Sequence, residues 1–573
     1  MNYSTENIGQ LSMKDVRKVF CIGLDGATFD LIQPWISKGK LPNISRIMQN
    51  GAWGELESVI PPISAPAWTS FMTGKNPGKH GIFGFKKDKQ GTYEERFVNR
   101  KLIKSETLWK RLSDDGKKVI IINVPITYPP EEVNGCMVSG MDTPSKKSLY
   151  TYPPQLKEEI NKITRGKYRI HQHFGGYLIN NKRKAQALEE ILFAIDIRTQ
   201  VAEYLMQKYP WDFFMIKFDN PDQVQHYFWK DMEDKESILR NSIFKVYERL
   251  DSILGKFMDY LDENTTLIVI SDHGAGPING KRIYINEWLR RKGMLSTKDH
   301  SDGKRRGFRN RFKKLLSRSL EKLYFLAGGI ISYRMRDRLG IPLSVIQAKL
   351  LSSTHSNTDW TKTKAYFGGN LNSIYINLIG RRPFGVVQPG EEYEKVREEI
   401  IHGLKSLVDP DDGQSVFEHV YKREEVYHGH QLDEAPDILV VPRNFSDYTF
   451  GREIFGNDKK PVIAYHPSPK GVTANHRLNG IFLAYGKCIG KGEQIKNAGI
   501  IDIFPTIYHI LGLQIPADID GKTLTSIFTP EWLERNPARF SDIATDIEET
   551  KEDVYSEEDE AEIRERLKGL GYI

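Results

Sequence analysis

TLIVISDHG, at residues 266–274, is a short unbroken apolar run that stops in an Asp-His-Gly cluster. A run of this length without polar interruption reads as a strand buried on both faces. The same arrangement recurs. VFCIGL (19–24) stops at Asp25, and FFMIKF (213–218) stops at Asp219-Asn220-Pro221-Asp222. KVIIINV (118–124), DILVV (437–441) and GIFLAYG (480–486) are further runs of this kind. Between them lie helical patterns: LPNISRIMQNG (41–51), TLWKRLSDDG (107–116) and the stretch from Lys184 to Gln207. Strands alternating with helices predict the α/β class, with a mostly parallel sheet sandwiched by helices. In such sheets ligands bind beyond the carboxyl ends of the strands, which is where these polar clusters fall.

Two insertions interrupt the alternation. Residues 141–205 are rich in Lys and Tyr, carry Pro153-Pro154 and read as helical. Residues 281–435 form the larger insertion. Its second half reads strand (SIYINLI, 373–379), helix (EEYEKVREEIIHGLKSLV, 391–408), strand (SVFEHVY, 415–421), a small α+β unit. The expected organisation is a core in three parts, 17–140, 206–280 and 436–535. The helical insertion 141–205, the cap 281–435 and an acidic tail 536–573 complete it. Insertions at strand ends are natural lids, so the cap is expected over the site.

The chain has 573 residues, enough for roughly two to four domains. With 39% hydrophobic and 27% charged residues it is neither disordered throughout nor collagen-like. No stretch approaches the ~20 apolar residues of a membrane-spanning helix. MNYSTENIGQLSMKDVRK at the N-terminus lacks the apolar centre of a signal peptide. The three cysteines, Cys21, Cys136 and Cys488, are far apart, which predicts no disulfide scaffold and a reducing, cytoplasmic setting. The net charge is +7, and twelve Lys and Arg between 304 and 338 face only Glu321 and Asp337, so the remainder is net acidic. Three readings apply to that basic segment: a solvated amphipathic helix pair, peripheral contact with an anionic substrate or membrane surface, or nucleic-acid binding. Phe308, Phe312, Tyr324, Phe325 and Tyr333 interleave with the basic residues as the apolar side of a helix would. No zinc-finger or single-strand-binding motif accompanies them, which disfavours nucleic acid. Nothing in the sequence fixes an oligomeric state.

Several side chains carry metal or nucleophile chemistry. Asp222 and His226, four apart, share one face of a helix and can bind one cation. Asp272 and His273 follow a strand end, with Gly274 permitting a tight turn. Asp25 stands at a strand end beside Gly26. Each also has an ordinary reading, as a cap or a solvated side chain. Ser64, in PPISAPAWTSFMTGKNPGKHGIFGF (61–85), precedes a predicted helix through Trp68–Thr73. A hydroxyl there is a common cap, and it is also where a nucleophile meets a phosphate at a helix N-terminus. His476, in ANHRLNG, lies just before GIFLAYG, with His466 as reserve; His428 and His430 read as surface residues. Trp53, Trp68 and Tyr227–Trp229 read as core, although those flanking Ser64 and His226 could stack a base or sugar.

The order Asp25, Ser64, Asp222-x-x-x-His226, Asp272-His273-Gly274, His476, with DGKTL at 520–524, resembles the alkaline phosphatase superfamily. Within it the chain is most similar to the type I phosphodiesterase/nucleotide pyrophosphatase family and its microbial phosphohydrolase relatives. The resemblance implies an alkaline phosphatase-like core and two divalent metal ions. Asp222, His226 and His476 would form one site. Asp25, Asp272 and His273 would form the other, with Ser64 as nucleophile and ligand. Mixed carboxylate and imidazole ligands suit Zn²⁺, and also Mn²⁺ or Fe²⁺. The implied activity is hydrolysis of a phosphodiester or pyrophosphate in a phosphorylated small molecule, nucleotide-like or a sugar or lipid phosphate. Departures from the pattern matter. Ser64-Ala65-Pro66-Ala67-Trp68 has Trp where sulfatases have Arg, which disfavours sulfatase activity. The phosphodiesterase branch has Thr as nucleophile and an Asn some twenty-one residues on; here those positions hold Ser64 and Phe85. The partner for a phosphate oxygen is then a backbone N–H near Ala65, Asn99, Lys79 or the metals alone. A serine nucleophile also fits a phosphoglycerate mutase-like phosphomutase or a phosphomonoesterase. Outside catalysis the rival is a silent scaffold that binds through its basic cap.

Overall fold

The computed structural model describes residues 17–89, 91–171, 180–298, 357–368, 372–445, 447–455, 460–465, 471–542 and 554–569. The basic segment 304–338, with the membrane and nucleic-acid readings attached to it, lies outside the described residues, as does His466.

Lys18–Leu24 is the centre of a ten-stranded sheet. Phe213–Phe218 and Thr265–Ile270 flank it, both parallel to it. Val119–Ile122 and Gly135–Val138 extend the parallel part on the Phe213–Phe218 side, closed by the antiparallel Thr151–Tyr152. On the other side Asn479–Tyr485 runs antiparallel to Thr265–Ile270, and Ala52–Glu57 runs antiparallel to Asn479–Tyr485. The expected mostly parallel α/β sheet is therefore present. Alternate residues of each strand feed opposite layers. Val19, Cys21, Met215 and Ile268 join one core with Trp68, Phe71 and Phe504. Phe20, Ile22, Phe214 and Leu267 join the other with Val246, Leu250 and Leu254. Burying each large apolar side chain contributes about 1.5–3 kcal/mol, so both faces must be covered, and helices cover both. One layer includes the helices Ser64–Thr73 and Ile503–Ile510; the other includes Pro42–Asn50, Asn181–Lys208, Asn220–Glu233 and Ser242–Tyr260.

One strand differs from expectation. Ile438–Pro442, the DILVV run, is not in the large sheet. It pairs antiparallel with Ser373–Ile376 and Phe417–Lys422 in a four-stranded sheet completed by Ala365–Phe367. A run buried on both faces says nothing about which sheet buries it. Helix Glu391–Lys405 packs on this smaller sheet, and together they share a separate core with Trp288 and Leu289. The acidic C-terminal stretch forms helix Glu557–Gly569, which buries Ile563 and Leu567 in the main core. Cys21, Cys136 and Cys488 are free and buried. Among the described residues no helix is long and apolar enough to cross a membrane.

Candidate active site

Because the central strands are parallel, their carboxyl ends meet at one edge. Asp25 leaves Lys18–Leu24 there, Asn123 leaves Val119–Ile122, Asp219 leaves Phe213–Phe218, and Ser271-Asp272-His273 leave Thr265–Ile270. His476 reaches the same edge from the opposite sense, since Asn479–Tyr485 is antiparallel and begins where its neighbours end. A two-stranded ladder, Gly274–Pro277 with Ala474–Arg477, sets Ala275 opposite His476 and brings the His476 ring onto His273, with centroids 3.7 Å apart. Helix Asn220–Glu233 presents Asp222 and His226 one turn apart. Gly26 turns the chain after Asp25 with φ of 68°, and a Cβ there would lie 3.1 Å from the Cβ of Asp222. Ser64 opens helix Ser64–Thr73, with Pro66 in the first turn, where a missing N–H costs nothing.

All seven residues singled out from the sequence converge and are buried. Asp222 Oδ1 lies 3.1 Å from His226 Nε2 and 3.5 Å from His476 Nε2, and the two imidazole nitrogens are 3.3 Å apart. His273 Nε2 lies 3.4 Å from Asp25 Oδ1 and 3.3 Å from Asp272 Oδ2. Ser64 Oγ is 3.2 Å from His273 Nε2 and 3.5 Å from Asp25 Oδ1. His273 stands between the two clusters: one ligand-type group comprises Asp25, Asp272 and His273, another Asp222, His273 and His476, with ligand atoms in each within 4.8 Å of one another.

The tautomers follow from the backbone. Nδ1 of His226 donates to Ala474 O at 2.7 Å, Nδ1 of His273 to Gly274 O at 3.0 Å, and Nδ1 of His476 to Pro62 O at 2.7 Å. A carbonyl only accepts, so each Nδ1 carries its proton and each neutral ring turns a bare Nε2 lone pair inward. Metal-binding histidines are oriented in this way. The electrostatics agree. Burial first, then the Asp272 charge, push Asp25 up to about 8, and burial pushes Asp272 up to about 6. Burial, followed by repulsion from His273, pushes His476 down to about 4. Burial disfavours the charge of Asp222, but His226 and His476 outweigh it and hold this carboxyl well below the usual range. Burial lowers His226 as well, but the Asp222 charge outweighs it and raises this imidazole. Asp25 and Asp272 resist their charge and Asp222 draws positive charge toward it, and a cation at these carboxylates would relieve both. The residues present therefore fit divalent metal ions.

Sequence reasoning missed what stands behind Asp25. Lys217, inside Phe213–Phe218, is fully buried and its Nζ contacts both Asp25 Oδ2 and Asp219 Oδ1. Burial works against its charge, yet Asp219 and Asp25 prevail and raise its pKa. The signal was available: a lysine in a strand buried on both faces needs a carboxylate partner. Trp68 and Tyr227 are buried in the core, as read, and offer no stacking surface. Asn99 Oδ1 accepts the Lys101 N–H at 3.0 Å and caps the turn Arg100–Leu102, and Lys79 pairs with Asp520. Ala65 lies in a first helical turn whose N–H has no acceptor within the helix. His428 Nε2 lies 3.3 Å from Asp520 Oδ1 on the surface, and His430 is exposed.

A family model described as type I phosphodiesterase / nucleotide pyrophosphatase matches residues 19–455. None of the curated proteins matches the chain in sequence. Among solved structures, phosphonoacetate hydrolase from Sinorhizobium meliloti 1021 in complex with phosphonoformate superposes with a TM-score of 0.51 at 15% identity, over 86% of this chain and 95% of that one. At that identity the likeness concerns the fold. Murine ectonucleotide pyrophosphatase/phosphodiesterase 5, in an inactive form with AMP, gives a TM-score of 0.47 at 15% identity, over 87% of this chain and 96% of that one. The human form of the same protein gives 0.46 at 14%, with the same coverage of 87% and 96%.

Proposed function

The chain belongs to the type I phosphodiesterase/nucleotide pyrophosphatase family, and from that premise we propose that it is a metal-dependent phosphodiesterase or pyrophosphatase with Ser64 as its nucleophile. The observation that carries the metal is the inward Nε2 of His226, His273 and His476, each fixed by an Nδ1–H donated to a carbonyl. Asp222, His226 and His476 would hold one ion, and Asp25, Asp272, His273 and Ser64 the other, with Zn²⁺ the first choice and Mn²⁺ or Fe²⁺ alternatives. When bound, two such ions lower the pKa of a coordinated hydroxyl and stabilise the oxygen that leaves. Ser64 sits where a helix start favours negative charge, both on its own oxygen and on an approaching phosphate. Its Oγ attacks phosphorus in line; an Oγ–P bond forms and the P–O bond to the leaving group breaks. Water then displaces Ser64 from phosphorus, restoring the hydroxyl. Asp25 and His273 keep Oγ oriented, at 3.5 and 3.2 Å. The Ala65 N–H, at the helix start, is a donor for a phosphate oxygen. The substrate is a phosphorylated small molecule, nucleotide-like or a sugar or lipid phosphate.

Turnover of bis-p-nitrophenyl phosphate should exceed that of p-nitrophenyl phosphate when Zn²⁺ or Mn²⁺ is present. Ser64→Ala should lower kcat by ~10³-fold or more while metal content persists. Transfer of phosphate between positions of a sugar acid would mark a mutase instead. A Ser64→Ala protein that retains most of its activity would remove the nucleophile assignment.

A further inference from the structure

Lys217 takes no part in the steps assigned to Ser64, yet five segments build a socket for it. Its Nζ reaches Asp25 and Asp219. Asp219 Oδ2 also accepts from Asn123 Nδ2 at 2.9 Å and pairs with Arg198 Nη1 at 3.1 Å. Arg198 Nη1 in turn donates to the Lys217 carbonyl at 3.0 Å. The Trp68 ring lies 5.8 Å from the ammonium, close enough for a cation–π contact. Gly23 leaves the room: a Cβ there would stand 2.6 Å from Trp68 and 3.0 Å from Lys217 Cγ. A charge this deep is retained only where partners hold it, and here Asp25 and Asp219 do so.

The consequence falls on Asp25. Lys217 takes Oδ2, while Oδ1 is the oxygen 3.5 Å from Ser64 Oγ and 3.4 Å from His273 Nε2. We propose that Lys217 is a positioning residue: its ammonium occupies one oxygen of Asp25, so that Asp25 offers a cation a single oxygen, on the Ser64 side. The inference rests on the reading of Asp25 as a metal ligand. A carboxylate shared with an ammonium neutralises its metal ion less. The ion is then held more weakly and keeps more charge for the Ser64 hydroxyl. Asp219 regulates the share, since it draws the ammonium partly away from Asp25.

Loss of the ammonium and loss of the Asp219 charge predict shifts of opposite sign. Calorimetric titration of metal-stripped protein with Zn²⁺ should show the weaker site tightening at least about tenfold in K217M, because a charge a few ångströms from the ion is gone. The double variant K217M/D219N should behave alike, and it leaves no buried Asp219 carboxylate without its ammonium should K217M fold poorly. D219N alone, leaving the ammonium wholly to Asp25, should weaken that site. kcat for bis-p-nitrophenyl phosphate should fall at least about tenfold in K217M, although its metal binds more tightly. Zn²⁺ affinities within about twofold of wild type in the folded variants would overturn the proposal. If the affinities shift as stated but wild type hydrolyses no phosphodiester, the proposed function fails and the role of Lys217 stands. If wild type is active and the affinities do not move, the reverse holds.

Discussion

His80 is sealed in the core with its Nε2 2.9 Å from the Ser70 hydroxyl, while its Nδ1 accepts the Ile82 N–H at 3.2 Å. One proton, on Nε2, satisfies both contacts. A second would displace Ile82 and charge a ring without water. Burial therefore drives His80 down to about 3, with Asp520 pulling the other way and Lys75 adding to the fall. The unfolded chain takes this proton near 6.5 and the folded chain does not, so the contribution is full above 6.5 and is lost as pH falls toward 3. Over that whole window it amounts to roughly 5 kcal/mol, and to about half of that by about pH 4.5. Urea unfolding at about pH 7.5 and about pH 4.5 should show a steeper loss of stability for wild type than for His80→Gln. Equal losses would mean that His80 is protonated in the folded protein.

The ladder of Gly274–Pro277 with Ala474–Arg477 carries His476 to His273, and its two glycines test how rigidly it does so. A Cβ on Gly274 would stand 2.2 Å from the carbonyl oxygen of Asn479, where the next strand of the large sheet begins. Backbone cannot move there without moving His476. The atoms nearest a Cβ on Gly276 belong to the Arg477 guanidinium, Nε at 2.3 Å, the far end of a long side chain that can shift by giving up its contact with the Pro277 carbonyl at 3.2 Å, with no strand of the large sheet moved. Gly274→Ala should thus cost at least ~10-fold in Zn²⁺ affinity and a few kcal/mol of stability, and Gly276→Ala less than about 1 kcal/mol. Zn²⁺ titration and chemical unfolding of the pair measure this. Similar effects at both positions would show that close packing of the ladder does not place the histidine. Neither GAGP nor ANHR alternates apolar with polar residues, so nothing in the sequence marked the ladder as a strand pair.

Across the whole molecule, what was legible was whatever a strand end makes local. Asp25, Asp222, Asp272 and His273 stand within a few residues of an apolar run, and the parallel sheet does the rest of the convergence. For Lys217 the need for a carboxylate partner was legible in FFMIKF, but not which one, because Asp25 is far away in sequence. Ile438–Pro442 was misplaced because its composition matches that of a strand in the large sheet. The same dispersal gives the metal a role in stability. The side chains that converge come from the ends of separate strands and from three further segments, Ser64, Asp222–His226 and His476. An unfolded chain cannot bring them together, so each ion that they bind stabilises the folded state alone. At about 100 times its dissociation constant the gain is about 2.7 kcal/mol, which raises Tm by a few degrees. Protein stripped with EDTA should regain that shift on addition of Zn²⁺ in scanning calorimetry. His476→Ala, which removes a ligand yet leaves Asp222 and His226 in one helical turn, should recover only part of it. A Tm that does not respond to Zn²⁺, Mn²⁺ or Fe²⁺ would mean that the six acidic and imidazole groups do not act together as a metal centre.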